Sequence, residues 1–363
     1  MFQRIAEAIA RPRGTMTPSA AALIAKVGLR RLVARALFAP LRDRGERQRR
    51  VHQFTFASEA EAVAYPFARG HGRLPDFAAP TLLPEKVRWT FLHHPNPLMS
   101  LVSDKIAVRD YLALRGALIQ PPDLIATGHD PEAILTLDLP ERFVLKASNS
   151  CGANHVHPGP NPPDRGSLRD LLVRWRDEDH WRRHGELFYR AIPWRFLVEE
   201  YLPSDRRRLE YKIMCFHGEP QFISAIAQRG PGGLSRSVHL PDWSAAGFGT
   251  RGLGVSPEPV PRPDQLGFLL DEARRLSADL MHVRVDILHY NDRLSFSELT
   301  LSNAAARHPI DPPEAALWLG SLIDLSRAAE YEALGRKIAA DLGWPPVPNG
   351  GGNLRSHGLS AET

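Results

Sequence analysis

Two short segments in the last quarter of the chain alternate apolar and polar residues, with a turn-like stretch containing Asn and Asp between them. The segments are 283–288 and 296–300, and the turn is 290–293. Alternation with a period of two is typical of β-strands, and two such runs around a short turn predict a hairpin. If the turn is centred on residues 291–292, Asp286 and Glu298 lie roughly opposite each other.

This hairpin would place two carboxylates within reach of one divalent cation. Four polar residues share its face: Arg284, Asp286, Glu298 and Thr300. Directly opposed side chains in an antiparallel pair have Cβ atoms about 5 Å apart. Carboxylates that close repel unless a cation lies between them, and Mg²⁺ prefers carboxylate oxygens together with phosphate oxygens. The competing interpretation is an ordinary amphipathic hairpin with two exposed acids.

The composition is that of a globular protein with a substantial core. The chain has 363 residues, 43% of them hydrophobic, which suits one large or two to three smaller subdomains. No apolar run approaches the roughly 20 residues of a membrane span, and the N-terminus lacks the pattern of a secretory signal. The only cysteines, Cys151 and Cys215, fit a reducing compartment. We therefore expect a cytoplasmic protein.

The net charge of +5 is unevenly distributed. Residues 1–50 contain twelve Arg and Lys but only three acidic residues, so the basic excess belongs to this segment. An apolar stripe mixed with Arg over 21–38 predicts a helix that contacts an anionic membrane, at the inner face, or an acidic partner. The alternative is a helix packed on the body with a solvated basic face. We expect no nucleic-acid partner, because no aromatic interleaving accompanies the arginines.

The order of the predicted elements indicates an α+β protein. Helices are predicted at 104–114 with Ser103 as the cap, after Ser167, at 263–281 and at 312–342. Strands are predicted at 142–147, at 196–202, and in a second hairpin at 209–216 and 221–226. Little regular structure is predicted at 51–80, in a long loop at 229–262 and in a tail from 345.

Six pieces of the sequence, in this order, resemble the ATP-grasp superfamily and, within it, the TupA-like proteins of bacterial polysaccharide and teichuronopeptide synthesis. The pieces are 84–89, 103–111, 143–146, 197–202, 210–218 and the hairpin at 283–300. The resemblance runs from about Pro84 to Gly320. Each piece is weak alone, but six in the same order are specific, so the metal-binding interpretation of the hairpin is favoured.

The resemblance implies an ATP-grasp fold, in which two α+β subdomains clasp ATP. The expected divisions are a basic helical N-terminal segment at 1–50, a connector at 51–83, the N-terminal part of the ATP-grasp region at 84–124, a lid-like subdomain at 125–202, a large subdomain with the metal site at 203–342 and a disordered tail at 343–363.

The resemblance also implies which residues bind ATP. Lys146 matches the lysine that faces the phosphates, and the small-residue loop after it, with Ser150 and Gly152, would close over the triphosphate. Lys105 matches a first nucleotide-contacting lysine, with a surface lysine as an equal alternative. The main chain of a linker would read the adenine edge, and this linker consists of Glu199, Glu200, Tyr201 and Leu202.

The metal ligands implied are Asp286 and Glu298, which would hold Mg²⁺ between the terminal phosphates. Many ATP-grasp enzymes have an Asn where this chain has Thr300, so Asn303 is the expected third ligand. The segment 302–307 also lacks the glycine that the family tends to place there. Two cations are expected to neutralise the transferred phosphate, namely Lys212 and Arg284.

The activity implied is carboxylate–amine ligation, in which ATP phosphorylates a carboxylate and an amine attacks the acylphosphate. The substrates would be small molecules or glycans, such as a uronic-acid or amino-acid group on a polysaccharide precursor. The arginines of the long loop are candidates for binding an anionic acceptor: Arg229, Arg236 and Arg251. Two alternatives are a kinase that transfers phosphate to a hydroxyl, and a non-catalytic scaffold that binds nucleotide or glycan and whose segment 1–50 contacts a partner in polysaccharide synthesis.

Overall fold

The computed structural model describes residues 16–345, apart from 179, 204–207, 230–232, 253, 255, 257 and 292. Helices are interspersed with two larger antiparallel sheets, which confirms the predicted α+β class. From residue 346 on, the predicted disordered tail lies outside the described residues.

Within the described residues, three helices precede the region of sequence resemblance, namely α1 (Pro18–Leu37), α2 (Arg44–Thr55) and α3 (Glu59–His71). Each begins after a side-chain oxygen that accepts a hydrogen bond from a backbone N–H three residues later, and these caps are Thr17, Asp43 and Ser58. The helix predicted over 21–38 is therefore present as α1.

The prediction of little regular structure at 51–80 is wrong, because α2 extends into this range and α3 lies within it. Ser58 followed by Glu61 is a helix-start pattern. Gly72, with φ 68°, ends α3 in the left-handed conformation, so a glycine that suggested a connector is a helix C-cap.

Helices α4 (Leu83–His93), α5 (Pro97–Ser103) and α6 (Val108–Leu114) follow. The predicted cap at Ser103 is wrong, because Ser103 is the last residue of α5. Asp104 explains the break: its carboxylate accepts from the N–H of Ile106 at 2.8 Å and lies 2.6 Å from Nη2 of Arg195. These contacts turn the chain before α6 begins.

The first sheet has four antiparallel strands in the order β1-β4-β2-β3. They are β1 (Leu124–Gly128), β2 (Phe143–Ala147), β3 (Asn154–His157) and β4 (Phe196–Glu200). Helix α7 (Arg165–Arg176) packs on this sheet through Leu168 and Leu172, which share a small apolar core with Phe143 and Phe196. The strand that precedes the small-residue loop and the strand that precedes the linker are thus neighbours. The short helix α8 (His180–His184) lies between α7 and β4 in the chain.

The second sheet has five antiparallel strands in the order β10-β9-β5-β6-β7. They are β5 (Leu209–Phe216), β6 (Glu219–Arg229), β7 (Gly233–His239), β9 (His282–Tyr290) and β10 (Arg293–Thr300). Both predicted hairpins are confirmed, since β5 pairs with β6 and β9 pairs with β10. The segment 229–262 is not all loop, because β7 extends the sheet and β8 (Gly249–Thr250) pairs with β11 (Ile310–Asp311).

Helix α9 (Leu266–Ser277) packs on the second sheet, against β5, β6 and β9. The helical region predicted at 312–342 consists of α10 (Pro313–Ser321) and α11 (Ala328–Asp341), separated by a 3-10 turn at Leu325–Arg327. Among the described residues, no helix combines the length and apolar content needed to cross a bilayer.

A histidine at the start of β9 predicts a loss of stability in acid. His282 is 3% exposed, and its Nε2 lies 2.8 Å from the hydroxyl of Thr90 on α4. Burial, with the nearby His94 and His217, lowers the pKa of His282 to about 3. An unfolded histidine titrates near pH 6.5, so below this pH the unfolded state binds the extra proton. The free energy of unfolding should therefore fall as the pH decreases from about 6.5 towards 3, by up to about 1.4 kcal/mol per pH unit from this residue.

The measurement is urea unfolding between pH 7 and pH 5 for the wild type, for His282→Gln and for a control at the exposed His129, His129→Gln. The slope of the free energy of unfolding against pH should be shallower in His282→Gln alone, by the amount that corresponds to the uptake of about one proton fewer on unfolding. Equal slopes in all three proteins would contradict the role given to His282.

Candidate active site

The hairpin formed by β9 and β10 brings the predicted acidic pair together. Asp286 pairs with Glu298, and Arg284 pairs with Thr300, as the alternation predicted. A register shift between Phe296 and Glu298 marks an irregularity in β10 at this point. Such bulges re-aim side chains and are frequent beside functional sites.

Arg284 binds both oxygens of Asp286. Its Nε lies 2.6 Å from Oδ1 and its Nη2 lies 2.7 Å from Oδ2, while Nη2 is 3.4 Å from Oε1 of Glu298. The side chain of Asp286 is fully buried and that of Glu298 is 35% exposed. The guanidinium therefore neutralises the buried carboxylate and leaves the more exposed one with a weaker contact.

The two carboxyl groups respond to this environment in opposite directions. Burial raises the pKa of Asp286 despite the opposing charges of Arg284 and Lys212. Burial would also raise the pKa of Glu298, but Arg284, Lys105 and Lys212 together lower it below its usual value. Glu298 is therefore firmly ionised at neutral pH and available to a cation.

Lys212 lies on β5 directly opposite Asp286 in the sheet. Its Nζ lies 3.2 Å from Oδ2 of Asp286 and 3.0 Å from Oε1 of Glu210. Burial acts to lower the pKa of Lys212, but Asp286 and Glu210 outweigh it and raise the pKa. Both predicted cations are thus held, charged, beside the acidic pair.

Asn303, the expected third metal ligand, contacts the cationic side of the site. Its Oδ1 accepts from Nη1 of Arg284 at 3.2 Å, and its Nδ2 donates to the hydroxyl of Thr250 at 3.1 Å. The described residues contain no group of three or more His, Cys, Asp or Glu side chains arranged to hold a metal. Two carboxylates are nevertheless a fitting protein contribution to Mg²⁺, which usually takes one or two carboxylates and completes its shell with phosphate and water.

Lys146 and Glu199 lie on the neighbouring strands β2 and β4 of the first sheet. Nζ of Lys146 forms an ion pair with Oε2 of Glu199, and Nη2 of Arg109 donates to Oε1 of the same carboxylate at 2.8 Å. Glu199 is 4% exposed. Because Arg109 remains bound to this carboxylate, Lys146 can leave it without stranding a buried charge.

Lys105 connects the chain before α6 to the small-residue loop at 148–154. Its backbone N–H donates to the carbonyl of Ser148 at 3.3 Å, and its Nζ donates to the carbonyl of Ser150. Burial lowers the pKa of Lys105, while Glu298 acts to raise it. Lys105 is therefore half-buried and held against the loop, which favours the nucleotide-contacting interpretation over a surface lysine.

The loop itself turns at Gly152, whose φ of 79° suits glycine, and a Cβ built there would meet open space. Ala147 donates its N–H to the carbonyl of Ala153 at 3.0 Å, which closes the base of the loop. The loop is therefore anchored at its base and open at Gly152, where a ligand can approach the backbone.

The linker predicted to read adenine begins at the end of β4. The N–H of Glu200 donates to the carbonyl of Asp123 at 2.9 Å, and its carboxylate lies 3.4 Å from Nη1 of Arg293. Tyr201 and Leu202 follow with half-buried side chains.

Sequence reasoning missed a buried carboxylate behind the hairpin. Glu186, 7% exposed, accepts from the hydroxyl of Ser302 at 2.7 Å and lies 3.5 Å from Nε2 of His180. Ser302 is two residues beyond the end of β10. Glu186 occurs in a polar stretch without periodicity, so no local signal could have revealed it.

A cavity of about 400 Å³ opens beside the hairpin. Its charged lining includes Lys212, Arg284 and Arg236, and apolar side chains cover much of the rest, among them Phe222 and Phe248. Of the loop arginines considered for an acceptor, Arg236 thus lines the cavity. Arg251 instead forms a two-pronged ion pair with Asp311 at 2.6 and 2.8 Å. The side chain of Arg229 lies outside the described residues.

Comparison with solved structures gives low sequence identities. D-Alanine–D-alanine ligase from Helicobacter pylori is 14% identical with a TM-score of 0.34, over 62% of this chain and 61% of that chain. The ATP complex of D-alanine–D-alanine ligase from Bacillus anthracis is 12% identical with a TM-score of 0.35, over 67% and 69%. L-Amino acid ligase from Bacillus licheniformis is 13% identical with a TM-score of 0.34, over 60% and 48%. The chain thus matches less than two thirds of the Helicobacter pylori ligase and about half of the Bacillus licheniformis ligase.

The comparison with family models is more informative than these structural likenesses. No functionally curated protein matches the sequence significantly. The sequence model described as TupA-like ATPgrasp matches residues 85–324, about two thirds of the chain. ATP-grasp proteins include ATP-dependent carboxylate–amine ligases, which bind ATP and typically use Mg²⁺. The match contains the predicted lysines, the linker and the acidic hairpin, and the chain therefore belongs to the TupA-like ATP-grasp family.

Proposed function

We propose that the protein is an ATP- and Mg²⁺-dependent ligase that joins a carboxylate to an amine through an acylphosphate. The observation that carries this proposal is the hairpin: Asp286 and Glu298 face each other, with Arg284 and Lys212 fixed beside them. Two acids on paired strands, beside two cations that line the cavity, form a site for a metal-bound triphosphate and its reacting partner.

The first sheet would supply the cations that bind the nucleotide. Lys146 would turn from Glu199 to a phosphate, with Arg109 keeping Glu199 neutralised. Lys105 already contacts the loop at Ser150, so its charge lies where the triphosphate would enter. Backbone N–H groups around Gly152 would add donors to phosphate oxygens. The linker 199–202 would place the adenine.

The second sheet would support the transfer. Asp286 and Glu298, with Asn303 as a further candidate ligand, would hold Mg²⁺, which would supply positive charge to the terminal phosphates of ATP. Arg284 and Lys212 would stabilise the charge on the transferred phosphoryl group. A carboxylate oxygen of the substrate forms a bond to the γ-phosphorus of ATP, and the bond between the γ-phosphorus and the leaving oxygen of ADP breaks. An amine then forms a bond to the acyl carbon, loses a proton and releases inorganic phosphate.

The cavity beside Arg284 would hold the carboxylate substrate. Its volume of about 400 Å³ lies in the range of small-molecule sites, and Arg236 would add a positive charge at its wall. We propose that the substrate is a carboxylate-bearing group of a cell-surface polysaccharide or its precursor, as the TupA-like family suggests. A kinase acting on a hydroxyl is the second possibility for the same site, and the amine requirement separates the two.

The first test is therefore ADP release by the wild-type protein with Mg²⁺, ATP and glucuronic acid or glutamate, with and without a panel of amines. A ligase should release ADP at least about tenfold faster when the matching amine is present, and the product should contain an amide detected by mass spectrometry. Arg236→Gln should raise the KM for the carboxylate more than it lowers kcat, because Arg236 lies at the cavity wall. Amine-independent ADP release with a stable phosphorylated product would instead identify a kinase.

We also propose that α1 contacts an anionic membrane at the inner face. Four large apolar side chains of this basic helix are 58–64% exposed, and these are Leu29, Leu32, Val33 and Leu37. Apolar side chains flanked by arginine are typical of helices that lie in a lipid interface. An anionic surface fits the positive charge of this segment.

Co-sedimentation of the full chain with phosphatidylglycerol–phosphatidylcholine vesicles tests this contact. Leu32→Ser/Val33→Ser should weaken binding at least about tenfold, because each side chain contributes roughly 1.5 kcal/mol or more when buried. The control, Leu114→Ser/Leu118→Ser, removes two exposed leucines elsewhere and should bind as the wild type does. Wild-type protein that stays in the supernatant, or that forms a dimer through this face, would refute the membrane contact.

A further inference from the structure

A second cavity, of about 560 Å³, lies where the N-terminal helices meet α8 and the segment after β10. We call it the basic cleft. Its walls carry six arginines, which are Arg31, Arg35, Arg69, Arg182, Arg183 and Arg307. The backbone of α3 closes tightly on this segment, since a Cβ on Gly70 would come within 1.6 Å of the carbonyl oxygen of Arg307. The cleft is thus fixed by helix packing.

Among the described residues, four of the six arginines of the basic cleft have no carboxylate partner, and these are Arg31, Arg35, Arg69 and Arg307. Among its described lining residues, Glu178 is the one carboxylate, and it already pairs with Arg183 at 2.8 Å. Arg31 and Arg69 lie 5.6 and 5.9 Å from the ring centre of Tyr65, a contact that orients the guanidinium groups without neutralising them. Like charges gathered in one concavity raise the local concentration of anions and favour binding of a multiply charged anion.

Arginine also indicates which anion fits. The planar guanidinium donates in a fork that matches phosphate oxygens, and arginine is preferred where phosphate is bound in this two-pronged way. A single carboxylate carries too little charge for these four arginines, whereas a diphosphate can accept hydrogen bonds from several of them. The cavity volume lies in the range of sites that hold whole small ligands.

The basic cleft adjoins the cavity beside the hairpin along the segment that follows β10. His308 lines both cavities, and Arg307 precedes it. Between Glu298 and these residues the chain passes through Ala304, Ala305 and Ala306, all with positive φ of 47–55°. Such conformations are strained for residues other than glycine and are concentrated at functional sites. This segment therefore lies between the two cavities and contributes residues to both.

We propose that the basic cleft binds a phosphate-bearing ligand, with a diphosphate group as the recognised part. Its role as the anchor for the acceptor rests on the proposed ligase function, whereas the binding itself does not. The phosphate can come from a soluble nucleoside-diphosphate sugar or from a lipid-linked phosphate, since both present the same chemistry to the arginines.

The test is calorimetric titration of the full chain with inorganic pyrophosphate in Mg²⁺-free buffer. Arg35→Gln/Arg69→Gln removes two exposed charges from different helices of the cleft and should weaken binding at least about tenfold. Arg174→Gln/Arg262→Gln removes two exposed arginines elsewhere and should bind like the wild type. Should the cleft variant fold poorly, Arg69→Gln alone provides the same comparison. The nucleotide site is monitored separately with a non-hydrolysable ATP analogue and Mg²⁺, whose affinity should not change in the cleft variants.

The outcomes separate this proposal from the ligase proposal. Pyrophosphate binding that survives in the cleft variant but is lost in Lys146→Gln would place the ligand in the nucleotide site and overturn the proposal. Absence of millimolar binding by the wild type would overturn it as well. Repeating the titration with UDP-glucose and with farnesyl diphosphate identifies the source, because a cleft-dependent signal with one and not the other assigns the phosphate to a soluble sugar or to a lipid.

Discussion

Asp286→Asn should lose both stability and Mg²⁺-dependent nucleotide binding. Asp286 is fully buried and accepts from Arg284 at 2.6 and 2.7 Å, with Lys212 at 3.2 Å. Removing the negative charge leaves two buried cations poorly compensated, which costs about 3 kcal/mol when one partner of a buried ion pair is deleted. If Asp286 holds Mg²⁺ as proposed, the same change removes a metal ligand worth several kcal/mol in the transition state, so turnover should fall roughly 10³-fold or more.

Urea unfolding and calorimetry with a non-hydrolysable ATP analogue, with and without Mg²⁺, measure these two effects. The matched control is Asp271→Asn, which alters a carboxylate that is 71% exposed and paired with Arg274, and it should leave the unfolding midpoint unchanged. An Asp286→Asn protein with wild-type stability would contradict the buried pair. One that retained Mg²⁺-dependent binding would contradict the metal role.

Glu298→Gln should separate the metal role from stability. Glu298 is 35% exposed, and its contact with Arg284 is 3.4 Å long, so its loss should change the free energy of unfolding by less than about 1 kcal/mol. Because Arg284, Lys105 and Lys212 keep the pKa of Glu298 below its usual value, the wild-type side chain offers a full negative charge to Mg²⁺. Its amide replacement should weaken Mg²⁺-dependent binding and lower turnover by about 10³-fold, as for Asp286.

Glu332→Gln is the control, because Glu332 is similarly accessible and pairs with Arg336 on α11, at 2.6 Å. It should retain nucleotide binding and turnover. If Glu298→Gln and Glu332→Gln behave alike, Glu298 is not a metal ligand and the non-catalytic scaffold becomes the better explanation. If Glu298→Gln instead unfolds, its role is structural.

The hairpin could be predicted from the sequence because its signal is local. A period of two and the short turn place Asp286 and Glu298 roughly opposite each other, and the register shift between Phe296 and Glu298 brings the two residues into direct pairing. The predicted hairpin at 209–216 and 221–226 is confirmed for the same reason. The family membership followed from the order of several such local patterns.

Helix boundaries were less accessible. Gly72 gives the same signal whether it caps a helix or lies in a loop, so α3 was missed. Asp104 was expected inside a helix that began after Ser103, but its carboxylate binds Arg195, which is remote in the sequence, and the chain turns there. In both cases long-range packing decided between local alternatives that the sequence left open.

The sequence by itself determined the strand pairing, the position of the acidic pair and the family. Only the tertiary structure decided how charge is shared: that Arg284 occupies both oxygens of Asp286, that Arg109 and Lys146 share Glu199, and that six arginines from distant segments form one cleft. The physical reason is the sequence distance over which each kind of interaction acts. Alternation and turns act over a few residues, whereas charge pairing and cavities depend on which distant surfaces pack together.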